Sequence, residues 1–166
     1  MKTKKICILG MGVALWIVFA TILKMPLIGH INTDLAYIVF GVYCMLFGWQ
    51  AFIVGVIGCM FESLLFSSWF PIGWMLGNAF IGISIGYILK KYKVNNFVAL
   101  FIVAISIFIG IGLIKTVVEC FLYDIPFAIK FAKDMIATVA DLIPMYFGII
   151  LGNILKKKEF IKNLLL

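Results

Sequence analysis

Residues Ala51 to Lys91 read AFIVGVIGCMFESLLFSSWFPIGWMLGNAFIGISIGYILKK, two apolar runs joined by a Ser/Trp/Pro turn. Each run is long enough, as a helix, to cross a bilayer core, which takes about 20 residues. Glu62 lies inside the first run. Asn78 lies inside the second, with Trp74 one turn before it. Groups of this kind are costly in hydrocarbon, so each either hydrogen-bonds a neighbouring helix or serves a site. For Glu62 both readings stand open on sequence alone.

The rest of the chain has the same character. Its hydrophobic fraction is 65%, against about 45–50% in soluble domains. The fold class read from this is all-α integral membrane, with 1–166 a single membrane domain. Any chemistry must then lie among the helices. The net charge of +7 does not point to nucleic acid: all 14 basic residues are Lys. They gather at the ends of apolar runs, the pattern of topology signals and of contact with anionic lipid. Cys7, Cys44, Cys59 and Cys120 stand singly and no CxxC occurs. A metal or redox site therefore has no support, and His30 is the sole histidine.

Apolar runs and helix breakers predict six transmembrane helices, over about 6–23, 35–47, 50–66, 71–89, 96–122 and 134–155. An amphipathic basic tail, 156–166, is expected on the membrane surface. The first helix carries Gly10 and Ala14, a small-xxx-small pair that lets another helix approach closely. The segment Lys24 to Asp34, KMPLIGHINTD, holds Pro26 and Gly29 and then a polar cluster of His30, Asn32, Thr33 and Asp34. Asp34 either caps the second helix or contacts a ligand. Gly48-Trp49 reads as a tight turn, and Tyr123 to Lys133 as a polar loop.

Six crossings place both termini on one side. That side would hold Lys2, Lys4, Lys5, Lys90, Lys91, Lys93, Lys156, Lys157, Lys158 and Lys162, and the other only Lys24, Lys130 and Lys133. The positive-inside rule makes the lysine-rich side, with both termini, cytoplasmic. The helical rise then sets depth. Glu62 stands ~18 Å from the cytoplasmic face of a core ~30 Å thick, and Asn78 ~10 Å inside the outer boundary. Asp141 lies at a similar depth. Lys115 and Glu119, four apart on one helix face, come near the outer end of the fifth helix and can pair. These groups, with His30 and Asn32 above them, outline a pocket open to the outside and closed to the cytoplasm. Trp74 belongs to the same level, where it either stacks on a planar ligand or joins an interfacial aromatic belt.

Several features together carry a resemblance. They are the small-xxx-small pair of the first helix, the Pro/Gly loop ending in a polar cluster, and a second helix ending in Phe47-Gly48. GVIGCMFES and FPIGWMLGNAFIGISIGYILKK follow. The whole chain resembles the S components of energy-coupling factor (ECF) transporters. The resemblance implies a six-helix bundle that binds one vitamin or related micronutrient from outside. It also implies docking on a transmembrane T subunit and two ATPases. By the same resemblance, Gly10 and Ala14, standing where the family usually has an Ala-xxx-Ala motif, face the T subunit. No Walker A motif occurs in the chain, so ATP would be used by partners and no cofactor bound here.

Two other classes compete with this reading. An intramembrane protease needs a membrane-embedded His, and the sole His lies in a loop. A lipid-headgroup transferase needs clustered metal-binding Asp, which are absent from the sequence. A stand-alone secondary transporter, proton-coupled through Glu62 and Asp141, differs in needing no ATPase. The ligand is not named by the sequence. Glu62, Glu119 and Asp141 against Lys115 favour a donor-rich or cationic ligand, such as a 7-deazaguanine base or thiamine, over a polyanion.

Overall fold

The computed structural model describes residues 3–22, 25–26, 32–66, 70–92 and 95–158. The chain folds as helix α1 (Thr3–Ile22), a two-residue pair of strands β1 (Met25–Pro26) and β2 (Asn32–Thr33), and helix α2 (Ala36–Phe47). A 3-10 turn, Gly48–Ala51, leads to α3 (Phe52–Phe66), and α4 is Ile72–Lys91. Helix α5 (Asn96–Ile107), a π-helical segment (Phe108–Lys115) and α6 (Thr116–Tyr123) run on as one helix. Helix α7 (Phe127–Lys156) ends the described chain.

Among the described residues, five segments are long and apolar enough to span a membrane: Thr3–Ile22, Ala36–Phe66, Ile72–Lys91, Asn96–Tyr123 and Phe127–Lys156. The second doubles back. Gly48 has φ 67°, a left-handed conformation that glycine adopts without steric cost. Contacts along α4 trace the reversal. Going down α4, Asn78 meets Tyr37, Gly82 meets Phe40, and Gly86 and Lys90 meet Gly48. Then α3 returns in the opposite sense, from Phe52 beside Gly82.

One helix boundary differs from the sequence expectation. The last helix begins at Phe127, not at 134, so Lys130, Lys133 and Asp134 are helical. The polar spacing that reads as a loop is a helix face: Lys130 donates to Asp134 one turn on, at 2.9 Å. The actual break is short. Asp124 sits in the left-handed region at φ 56°, and Pro126, with φ −57°, presets the first turn of α7.

The bundle is cemented where glycines let backbones meet. The most extensive interface between two elements joins α2 and α7. A Cβ on Gly148 would strike the carbonyl of Ile38, and one on Gly41 the carbonyl of Met145. Lipid offers side chains no less apolar an environment than the bundle interior, so such close packing, not the hydrophobic effect, holds helices together. The core alongside is apolar: Leu9, Val54, Ile81, Ile85, Val103, Ile107 and Met145 are buried. Described lysines also divide by end. Lys4, Lys5, Lys90, Lys91 and Lys156 to Lys158 flank the end that holds Gly48, whereas Lys130 and Lys133 lie at the end that holds Pro71.

Candidate functional site

A cavity of about 280 Å³ opens at the Pro71 end, between α1, α2, α3, α4, the α5–α6 helix and α7. Its floor is aromatic. Trp16 and Tyr37 pack with ring centroids 5.4 Å apart, and Phe40 lies 5.4 Å from Trp16 and 6.1 Å from Tyr37. Trp16 fits because Gly58 faces it: a Cβ there would meet the indole. Below this layer the buried side chains are those of the apolar core, so the cavity does not continue to the other end.

One wall carries carboxylates and an amide. Glu62 Oε2 accepts from Trp16 Nε1 at 3.1 Å. Asn78 Oδ1 accepts from the Tyr37 hydroxyl at 2.8 Å. Asp141 Oδ1 takes the backbone N–H of Asp34 at 3.4 Å, and Asp34 Oδ1 takes that of Ala36 at 2.9 Å. Both carboxylates thus answer orphan donors at the start of α2, where the helix dipole favours negative charge. Asp34 therefore caps, one of the two roles open to it, and it also lines the cavity.

The opposite wall is an ion network. Lys115 pairs with Asp134, which also takes Lys130 at 2.9 Å and the Thr116 hydroxyl at 2.8 Å. Glu119 lies 2.6 Å from Lys130 and 3.6 Å from Lys115. The expected pairing of Lys115 with Glu119 is thus the longest link in a four-residue network. Lys115 also sits 4.2 Å from the centroid of Trp74, a cation–π contact that occupies one face of the indole.

The π-helical segment sets this wall. Its wider turns change the register between the apolar half of the long helix and Lys115, Thr116 and Glu119. The Thr116 hydroxyl donates five residues back, to Ile111, at 3.3 Å. Such segments recur at functional sites. Gly110 and Gly112, mid-run in an apolar helix, are the sequence mark of it.

Of the residues singled out from sequence, Glu62, Trp74, Asn78, Lys115 and Asp141 line the cavity. Glu119 lines a neighbouring apolar depression that shares Ser63 and Trp74 with it. His30 lies outside the described residues. Asn32 is described by its backbone alone, paired with Pro26. Trp16, Tyr37, Lys130, Lys133 and Asp134 also line the cavity and carry no such mark in the sequence: the first two sit in apolar runs, Lys130 and Lys133 read as loop, and Asp134 reads as the first residue of the last helix. Gly10 and Ala14 face outward on α1, and a Cβ on Gly10 would meet nothing within 4 Å.

Comparison with known proteins gives three findings. The family model described as ECF-type riboflavin transporter, S component, matches residues 1–159. UPF0397 proteins of Streptococcus thermophilus, from strain LMD-9 and from strain CNRZ 1066, are each 24% identical over 148 residues. Each match covers 84% of this chain and 82% of the relative. A crystal structure of FolT bound with folic acid superposes with a TM-score of 0.69. Identity there is 21%, covering 95% of this chain and 96% of that one, a likeness of fold. With a match across nearly its whole length, this chain belongs to the family of ECF-type riboflavin transporter S components, which are membrane transport proteins and not enzymes.

Proposed function

We propose that this chain is the substrate-binding subunit of an ECF-type importer in the cell membrane. It captures one small vitamin-like heterocycle from outside and passes it on with a T subunit and two ATPases. The observation that carries the reading is the cavity, polar at the Pro71 end and floored by Trp16 and Tyr37, which Phe40 backs. Binding is assigned to Glu62, Trp74, Asn78, Lys115 and Asp141, and on sequence grounds also to Glu119, His30 and Asn32. No cofactor is needed in this chain, since ATP serves the partners.

The orientation follows from charge. The Gly48 end carries Lys4, Lys5, Lys90, Lys91 and Lys156 to Lys158, and so faces the cytoplasm with both termini. The opposed courses of α2 and α3 count as two crossings, giving six. Helix α2 has 12 residues, a length of ~18 Å, so its start stops well inside a core ~30 Å thick. That shortfall makes room for the cavity. Cysteine placed at Asp124, in a background lacking the four native Cys, should react with an impermeant thiol reagent added outside intact cells. Cysteine at Lys91 should not. The reverse labelling would invert the orientation.

The cavity volume lies at the low end of small-molecule sites, about 300–1,000 Å³. It suits a compact ring system, such as a flavin ring, thiamine or a 7-deazaguanine base, better than a ligand with a long charged tail. The partner reading is tested on α1. Gly10→Leu or Ala14→Leu adds bulk to a face turned away from the cavity. Either change should abolish co-purification with co-expressed T and ATPase subunits, and uptake with it, while ligand affinity of the isolated chain stays within about twofold. Uptake that needs no ATPase would instead make this a secondary transporter.

A further inference from the structure

Asn78 is 1% exposed and borders the cavity, and its Nδ2 makes no geometric hydrogen bond among the described residues, the weakly accepting Cys59 thiol being set against it. A buried amide donor left unmade is expensive, so its usual partner is something that comes and goes. The amide cannot choose its orientation freely. Its Oδ1 is engaged at 2.8 Å by the hydroxyl of Tyr37, itself 1% exposed and wedged between Trp16 and Phe40. A turned amide would aim its oxygen into a cavity already lined by Asp34, Glu62 and Asp141. Acceptor against acceptors is the unfavourable arrangement. The carboxylates therefore select the state with the N–H₂ toward the cavity, and the Tyr37 hydroxyl, donating to Oδ1, anchors the amide in it.

We propose that Tyr37 is a positioning residue that holds Asn78 as a dedicated donor. The ligand's most deeply buried edge then carries a neutral acceptor, a ring nitrogen or ring carbonyl, flanked by donors. This rests on the reading of the chain as a substrate-binding subunit. A carboxylate at that edge is disfavoured beside Asp34, Glu62 and Asp141, since Lys115 and Lys130 across the cavity are paired with Asp134 and Glu119. Neighbouring ring N–H or amino groups are favoured, because the carboxylates of Glu62 and Asp141, each already accepting one hydrogen bond, have lone pairs for another. The ligand class is thus a neutral or cationic heterocycle with alternating acceptor and donor positions on one edge.

The test uses the purified full-length chain and four probes: riboflavin, thiamine, folic acid and a 7-deazaguanine base. Each is paired with an analogue in which the ring acceptor is replaced by C–H, and affinity is measured by titration. At least one probe should bind, and its analogue should bind about tenfold or more weakly. Tyr37→Phe should bring probe and analogue within about threefold of each other, because the amide, no longer tied through its Oδ1, can swing away from the ligand's edge. A purely structural tyrosine would lower both affinities together and leave their ratio alone. Asn78→Asp, which puts an acceptor where the donor was, should weaken the probe about a hundredfold. Should either variant fail to fold, the parent's own preference decides: an analogue bound as tightly as its probe overturns the proposal. So does an unchanged ratio in Tyr37→Phe, parental affinity in Asn78→Asp, or no binding by any probe. Co-purification with the T and ATPase subunits does not involve Asn78. If the complex forms while the affinity ratio is flat, only this inference falls. If the complex does not form, the subunit reading falls and takes the inference with it.

Discussion

Asp134→Leu is expected to destabilise the ligand-free protein by about 3–5 kcal/mol, read as a large drop in its unfolding midpoint in detergent. The reason is the company Asp134 keeps. It is 2% exposed and serves Lys115, Lys130 and the Thr116 hydroxyl together. Removing it leaves Lys115, also 2% exposed, with Glu119 at 3.6 Å as its remaining counter-charge. A buried ion pair adds little over an apolar pair of the same size, but half of one is costly. The double change Lys115→Met with Asp134→Leu should therefore recover most of the loss, and the coupling between the two is the quantity to measure. A single variant that melts with the parent would mean Glu119 alone neutralises both lysines.

Gly148→Ala should be nearly as damaging, by about 3 kcal/mol or more, at the upper end of what overpacking costs. The added methyl meets the carbonyl oxygen, carbonyl carbon and Cα of Ile38, all backbone, so no rotamer change relieves it. Helices α2 and α7 must separate, and the contact between them is the largest in the fold. The matched control is Gly10→Ala, whose methyl meets nothing within 4 Å and should leave the midpoint unchanged or slightly raised. Equal melting of the two variants would show that the α2–α7 approach yields more easily than close-packed backbones allow.

The functional argument uses both of these features. The glycine-locked helices hold one side of the cavity still, and the ion network holds the other. Between them lies a wall whose polar atoms are mostly taken: Glu62 by Trp16, Asp141 by the start of α2, Lys115 by Asp134 and Trp74. The Asn78 amide nitrogen is the exception among the described buried side chains. A site with most of its groups preorganised loses little side-chain entropy on binding.

The sequence by itself determined the membrane class, the helical segments and the level at which polar groups occur. Those follow from local quantities: the length of an apolar run, the residue that breaks it, and the 1.5 Å rise that converts position into depth. Glu62, Asn78, Lys115 and Asp141 are conspicuous because each interrupts an apolar run. The family resemblance, carried by the order of loops and helices, was legible on the same grounds. The start of the last helix was not. Lys130 and Lys133 look like a solvated loop until the partners of Lys130 and Asp134 on the preceding helix are in place, and polarity there means an internal network. Nor could the sequence choose partners. Trp16 and Glu62 are separated by 46 residues, Tyr37 and Asn78 by 41 and Asp34 and Asp141 by 107. Which face each helix turns inward depends on the π-helical register shift at Phe108–Lys115 and on glycines that set how closely backbones approach. Both are settled by packing between helices, and only the tertiary structure decides them.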